Sequence, residues 1–251
     1  MSANVILEVC VDSVESAVAA ERGGAHRVEL CSAVHNGGVT PSAGLIATVR
    51  EAISIPLHVM IRPRDSDFCY SEDELQVMQR DILMAKQLRA DAVVFGILDV
   101  EGQIDTARTK ELAELAAPLP VTFHRAFDMS SDLHTSLRDL QAIGIARVLT
   151  SGGKQTAIEG AANIKALLGA ASGAISIIAG SGIRASNVLD LFEQTGVREI
   201  HATLRSSVAS PMRYRNDSVL MGVEKSGEYQ RLVVQEQTVR DLLRAASCAK
   251  A

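Results

Sequence analysis

Eight short stretches with β-strand character recur along the chain, each followed by a segment of helical periodicity, and this alternation constrains the fold more than any other feature. The stretches are VILEVC (5–10), HRVELC (26–31), LHVMIR (57–62), DAVVFG (91–96), PVTFHR (120–125), ARVLTS (146–151), AISIIAG (174–180) and REIHAT (198–203). Helix starts punctuate the intervals. Ser71 and Glu74 have the spacing of a capping box, and Asp12 with Glu15 repeats it ahead of Val14, Ala17 and Val18. Pro41 stands just inside another start, and Gly23, Gly144 and Gly196 read as helix ends. A last helix is expected over Glu228 to Ala246.

Strand followed by helix, eight times in 251 residues, predicts parallel strands joined by crossover helices, that is, a single-domain (β/α)8 TIM barrel over residues 1–251. The competing architecture is an open doubly wound sheet. It would usually carry a glycine-rich dinucleotide loop after the first strand, where this chain reads VCVDSVES. The longest irregular piece, 206–227, precedes the last helix and is expected to cover the barrel mouth or frame a contact within a homo-oligomer.

Period-two alternation sorts the strand faces. Leu7, Val9, Val28, Leu30, Leu57, Val59, Val121, Phe123 and Ile200 should face the helices. That turns Glu8, Cys10, Glu29, Cys31, His58, Met60, Arg62, Thr122, His124, Glu199 and His201 toward the interior. Barrel interiors are normally filled with branched apolar side chains. Buried charges are costly unless paired or liganded, so this set must either form a network or bind something near the C-terminal ends of the strands.

Cys10 and Cys31 lie on adjacent strands, which run about 4.8 Å apart. At matching heights they can share one metal ion; barrel stagger can also separate them. Paired soft thiolates suit Cu(I), with Met60 or a histidine as auxiliary ligand. A tetrahedral zinc site wants four ligands, and no Cys-x-x-Cys spacing occurs. Cys69 and Cys248 read as incidental. The glycine turns after the sixth and seventh strands, with Gly152 and Gly153 in one and Gly180, Ser181 and Gly182 in the other, offer backbone N–H groups to a phosphate or carboxylate. Ordinary tight turns are the plainer reading of both. Arg62 at the third strand exit can help hold such an anion, and His124 with Asp128 at the fifth is an acid/base candidate. No lysine falls at an inward strand position, which argues against Schiff-base chemistry.

Composition narrows the partners. A formal charge of −5, 3% aromatics and no tryptophan lack the basic footprint and stacking platforms of a nucleic-acid binder. No apolar run reaches the roughly 18 residues of a membrane span. The start MSANVILEVCVDS has neither a basic region nor a cleavage site. Four cysteines are too sparse for a disulfide framework, so a reduced cytoplasm is expected.

The strings VELCSAVHNGGVTPSAG, HVMIRPRDSDFCYSEDE, DAVVFGILDVEGQID, VTFHRAFDMSSD, RVLTSGG and REIHATLRS together resemble the copper homeostasis protein CutC family over nearly the whole chain. The resemblance implies a cytoplasmic (β/α)8 barrel that handles copper, with Cu(I) carried by Cys10 and Cys31. Ser66 stands where the family motif is expected to have glycine, a departure that touches a loop rather than the thiols.

Three functions therefore compete. The first is a cytosolic copper homeostasis protein binding Cu(I) through two mouth cysteines. The second is a barrel enzyme acting on a small anionic or phosphorylated substrate, with Glu8, Glu29, His58, Arg62, His124, Asp128 and His201 as its polar machinery. The third is a scaffold or oligomeric partner whose mouth is unused.

Overall fold

All eight expected strands form, with ends shifted by a residue or two. They are β1 (Ile6–Val11), β2 (Arg27–Leu30), β3 (Leu57–Met60), β4 (Ala92–Phe95), β5 (Val121–Phe123), β6 (Arg147–Thr150), β7 (Ser176–Gly180) and β8 (Glu199–Ala202). Each pairs in parallel with its sequence neighbour, and β1 pairs with β8 to close the barrel. Around it run α1 (Val14–Gly23), α2 (Ala43–Ala52), α3 (Glu72–Gln87), α4 (Thr106–Ala116), α5 (Leu133–Ala142), α6 (Ala161–Ala171), α7 (Val188–Thr195) and, after a hairpin, α8 (Glu236–Ser247). This computed structural model describes residues 5–216, 218–219 and 228–248.

The main core lies between barrel and helices. Leu7, Val9, Val28, Leu30, Leu57, Val59, Phe95 and Ile200 are completely buried there, joined by Ile46, Met78, Ile82 and Leu112 from the helices. Each such side chain stabilises the fold by about 1.5–3 kcal/mol relative to exposure. The outward strand face is therefore committed to the helices, and the polar residues between these positions have only the barrel interior to enter.

Local signals behave unevenly. The Ser71–Glu74 capping box forms in full at the start of α3. The cap of α1 is Ser13, which accepts from the Ser16 N–H, so Asp12 is not the capping residue. Pro41 precedes the cap of α2, Ser42, rather than lying inside the helix. The left-handed turn ending α1 belongs to Gly24 (φ 94°), one residue beyond the expected Gly23.

The region after β8 differs from expectation. Within the piece read as irregular, residues 206–209 belong to β9 (Arg205–Ala209), which pairs antiparallel with β10 (Gln230–Val234). Residues 217 and 220–227 of that piece lie outside the described residues. The expected helix from Glu228 is thus two elements, β10 and then α8. The β-branched pair Val233 and Val234 favours a strand. Both are buried, and the Val234 N–H donates to Ser16 Oγ of α1. No helix among the described residues is long and apolar enough to cross a membrane.

Gly23 is a contact point between α1 and α8, where an added Cβ would lie 2.5 Å from Val239 Cβ and 2.9 Å from the Glu236 carbonyl. Gly23→Ala is expected to lower stability by about 1–3 kcal/mol through overpacking, measured as a reduced urea midpoint at unchanged slope.

Candidate functional site

The interior is organised around one carboxylate. Glu8 on β1 is fully buried. Its Oε1 accepts from His201 Nδ1 of β8 at 2.7 Å, and its Oε2 accepts from Arg27 Nε of β2 at 2.7 Å. His58 Nδ1 of β3 sits 3.0 Å from Oε2 but off the angle for a hydrogen bond. Arg27 also donates to Glu199 at 2.9 Å. Burial alone would push the Glu8 carboxyl up. The His201 hydrogen bond, the adjacent His58 ring and the Arg27 charge outweigh it and hold the group well below its usual 4.5. For His201 the balance runs the other way. Burial disfavours its cation, but the Glu29 and Glu8 carboxylates raise its pKa above 6.5.

The next inward positions toward the mouth carry the thiols. Cys10 Sγ and Cys31 Sγ are 3.4 Å apart, buried and not disulfide-bonded. Met60, Val94 and Val34 pack around them. The Gly37–Gly38 turn after β2 lies beside Cys31. Gly38 is left-handed (φ 85°), and a Cβ there would come within 3.2 Å of Cys31 Sγ. A Glu29 carboxylate oxygen lies within 4.8 Å of both sulfurs. Glu29 Oε2 is buried without a hydrogen-bond partner. Burial raises the Glu29 pKa to about 7, with the His201 charge opposing. The Cys10 thiol is pushed well above 9.0 by its hydrogen bond with Cys31 and by burial.

Above the thiols the strand ends open into a cavity of about 760 Å³, lined by Cys10, Cys31, Glu29, Arg62, His124 and His201 among others. Arg62 ties two loops together, donating to the carbonyls of Asn36, Gly38 and Ser66. Ser66 has φ 75°, the left-handed conformation that glycine adopts without strain. His124 Nδ1 accepts from the Ala126 N–H. Burial and then the Arg62 charge push its pKa down to about 3.

Asp128 also lines this cavity, but its oxygens are occupied. They accept from Thr150 Oγ1, from the Ser151 and Gly153 N–H groups, from Ser151 Oγ and from Arg125 Nε. The Gly152–Gly153 loop thus holds the chain's own carboxylate, and the Gly152 N–H donates to Thr150 Oγ1. Gly180 ends β7, and Ser181 and Gly182 line a second cavity of about 650 Å³ with Arg184, Arg205 and His201.

The structure thus brings Glu8, His58 and His201 into one network, with Glu29, Cys10 and Cys31 beside it. Arg62 and His124 share the cavity above. Two inward residues escaped the sequence reading, Arg27 and Arg147. Arg27 is the counter-charge of Glu8 and Glu199, and Arg147 is held below its usual pKa by burial and then by Arg27. The same alternation, carried two residues upstream of Glu29 and of Leu149, would have found both.

Sequence comparison agrees with this architecture. Residues 5–206 match the family model described as CutC family. The chain belongs to the CutC family. The mouse copper homeostasis protein cutC homolog is 48% identical over 238 residues, which cover 94% of this chain and 88% of the mouse protein. The human homolog is likewise 48% identical over 238 residues, 94% of this chain and 87% of that protein. Among solved structures, the copper homeostasis protein CutC of Streptococcus agalactiae superposes with a TM-score of 0.76 at 36% identity, covering 79% of this chain and 98% of that one. A thiamine phosphate pyrophosphorylase from Pyrococcus furiosus, with a TM-score of 0.58 at 15% identity over 98% of each chain, shares the fold alone.

Replacing Glu8 with Gln leaves Arg27 and two histidines around a neutral amide. Breaking such a buried pair costs about 3–5 kcal/mol. Because the folded pKa of Glu8 lies below 4.5, its contribution is present above that value and lost as pH falls through the folded pKa. Denaturant titrations from neutral pH downward should show Glu8→Gln less stable at neutrality and less sensitive to acid than the parent.

Proposed function

We propose that this protein is a cytosolic copper homeostasis protein that binds Cu(I) through Cys10 and Cys31. The observation that carries the reading is the pair of buried, free thiols 3.4 Å apart at the barrel mouth. At metal–sulfur distances of about 2.3 Å, sulfurs so placed both reach one ion. Soft thiolates favour Cu(I), and the Met60 thioether packs in the same cluster. Glu29 brings a carboxylate near both sulfurs, with one oxygen unpaired. The copper homeostasis names of the mouse, human and streptococcal relatives support the same assignment.

Both sulfurs are buried at the base of the mouth cavity, with Gly38 against Cys31. The raised Cys10 pKa means that this thiol binds metal by releasing a proton. Apparent affinity should therefore rise with pH, by about tenfold per unit for each proton released.

Competition against a chromogenic Cu(I) chelator, with anaerobic reduced protein, tests the reading. The double variant Cys10→Ser, Cys31→Ser should bind at least about 100-fold more weakly while keeping its circular dichroism spectrum. Undiminished affinity in that variant would overturn the assignment.

A further inference from the structure

The thiol pair takes up one corner of the mouth. The cavity of about 760 Å³ falls within the range of small-molecule sites, about 300–1,000 Å³. Its thiol end is formed by Cys10, Cys31 and Met60, while Phe68, Leu98 and Val100 give the remaining wall an apolar surface.

Two cavity-lining side chains carry donors that the protein leaves unused. Arg62 is 4% exposed. Its terminal nitrogens donate only to backbone carbonyls, its Nε makes no well-formed hydrogen bond although the neutral Tyr70 hydroxyl lies near the guanidinium, and it forms no ion pair among the described residues. The Phe68 ring, centred 4.9 Å from the guanidinium carbon, adds a cation–π contact but no counter-charge. A buried cation in this state is costly unless an anion joins it.

The second donor belongs to His124, whose ring is centred 5.0 Å from that of Phe68. Because Nδ1 accepts from Ala126, the proton of the neutral ring resides on Nε2, which is buried and unpartnered. Guanidinium, phenyl and imidazole therefore adjoin along one side of the mouth. The cavity's own carboxylates do not serve them. Asp128 is taken by the loop after β6, Asp67 pairs with Arg64, and Asp99 accepts from the Glu101 and Gln103 N–H groups. Glu29 lies with the thiols.

We propose that the mouth cavity binds a small organic carboxylate, its oxygens accepting from Arg62 and from His124 Nε2–H, its hydrocarbon part lying along Phe68 and Leu98. Two donors beside a flat ring suit a planar carboxylate better than a phosphate, which presents three oxygens to be satisfied. The site is separate from the thiol pair and does not depend on copper binding.

The test uses metal-free, reduced, full-length protein titrated calorimetrically with 3-phenylpropionate, its amide, its alcohol and phenyl phosphate. The acid should bind at least about tenfold more tightly than the amide or alcohol, the margin of one charge-assisted hydrogen bond. Arg62→Met should erase that margin. Since Arg62 also holds loops together, the ligand series on the unaltered protein is the primary readout. Cys10→Ser, Cys31→Ser should retain acid binding, so failure of the copper assignment and failure of this one are distinguishable. Equal binding of acid, amide and alcohol would overturn the proposal. So would tighter binding of phenyl phosphate, no binding of the acid at about 10 mM, or loss of acid binding in the double serine variant.

Discussion

The Glu8 carboxylate is the constraint on which the barrel interior depends. It meets Arg27, His58 and His201, so one side chain of β1 joins β2, β3 and β8 at the seam where the barrel closes. Arg27 extends the arrangement to Glu199. An apolar interior of similar volume could be equally stable. A charged one is sensitive to register, because a one-residue slip of β1 or β2 would send a carboxylate or a guanidinium into the helix-packed core. The same register sets Cys10 and Cys31 side by side, two positions along from Glu8 and Glu29. The thiol geometry is thus a downstream result of the charged layer beneath it.

Polarity grades along the barrel axis. The lower interior is ionic, around Glu8 and Arg27, the middle holds Glu29 with the thiols, and the mouth widens into a cavity with apolar and cationic walls. Glu29 is the joint between these environments, close to His201 on one side and to both sulfurs on the other. Its raised pKa follows from that position, since burial and then the Glu8 charge favour the neutral acid and outweigh His201, Arg27 and the Cys10 thiol, which favour its charge.

Most of the barrel was legible because its strands obey a strict period of two. The outward residues of β1, β2 and β3 are apolar without exception, so the inward set follows by elimination, and Cys10 and Cys31 fall on adjacent strands; that stagger brings their sulfurs to 3.4 Å is seen only in the structure. Arg27 was overlooked although it falls two residues before Glu29 on the same face, because the inward set was read from the carboxylate onward. The hairpin of β9 and β10 was illegible for a different reason. Its strands pair across a long separation, and LVV followed by a helical pattern reads as one helix until the buried partner of Val234 is known. Asp128 was read as an acid/base group because sequence places it beside His124. Only the three-dimensional path of the loop after β6 reveals how many donors it faces. Ser66 is the converse case, a local departure noticed in sequence that coincides with an actual left-handed backbone angle.

The carboxylate of Asp128 in the loop after β6 has a consequence for the polarity of recognition around the rim. That loop comes with a permanent tenant, held by backbone and side-chain donors at once. Vacant donors remain on the side built from β3 and β5. The rim is therefore uneven: the donors of the loop after β6 are satisfied from within the chain, while Arg62 Nε and His124 Nε2 are not.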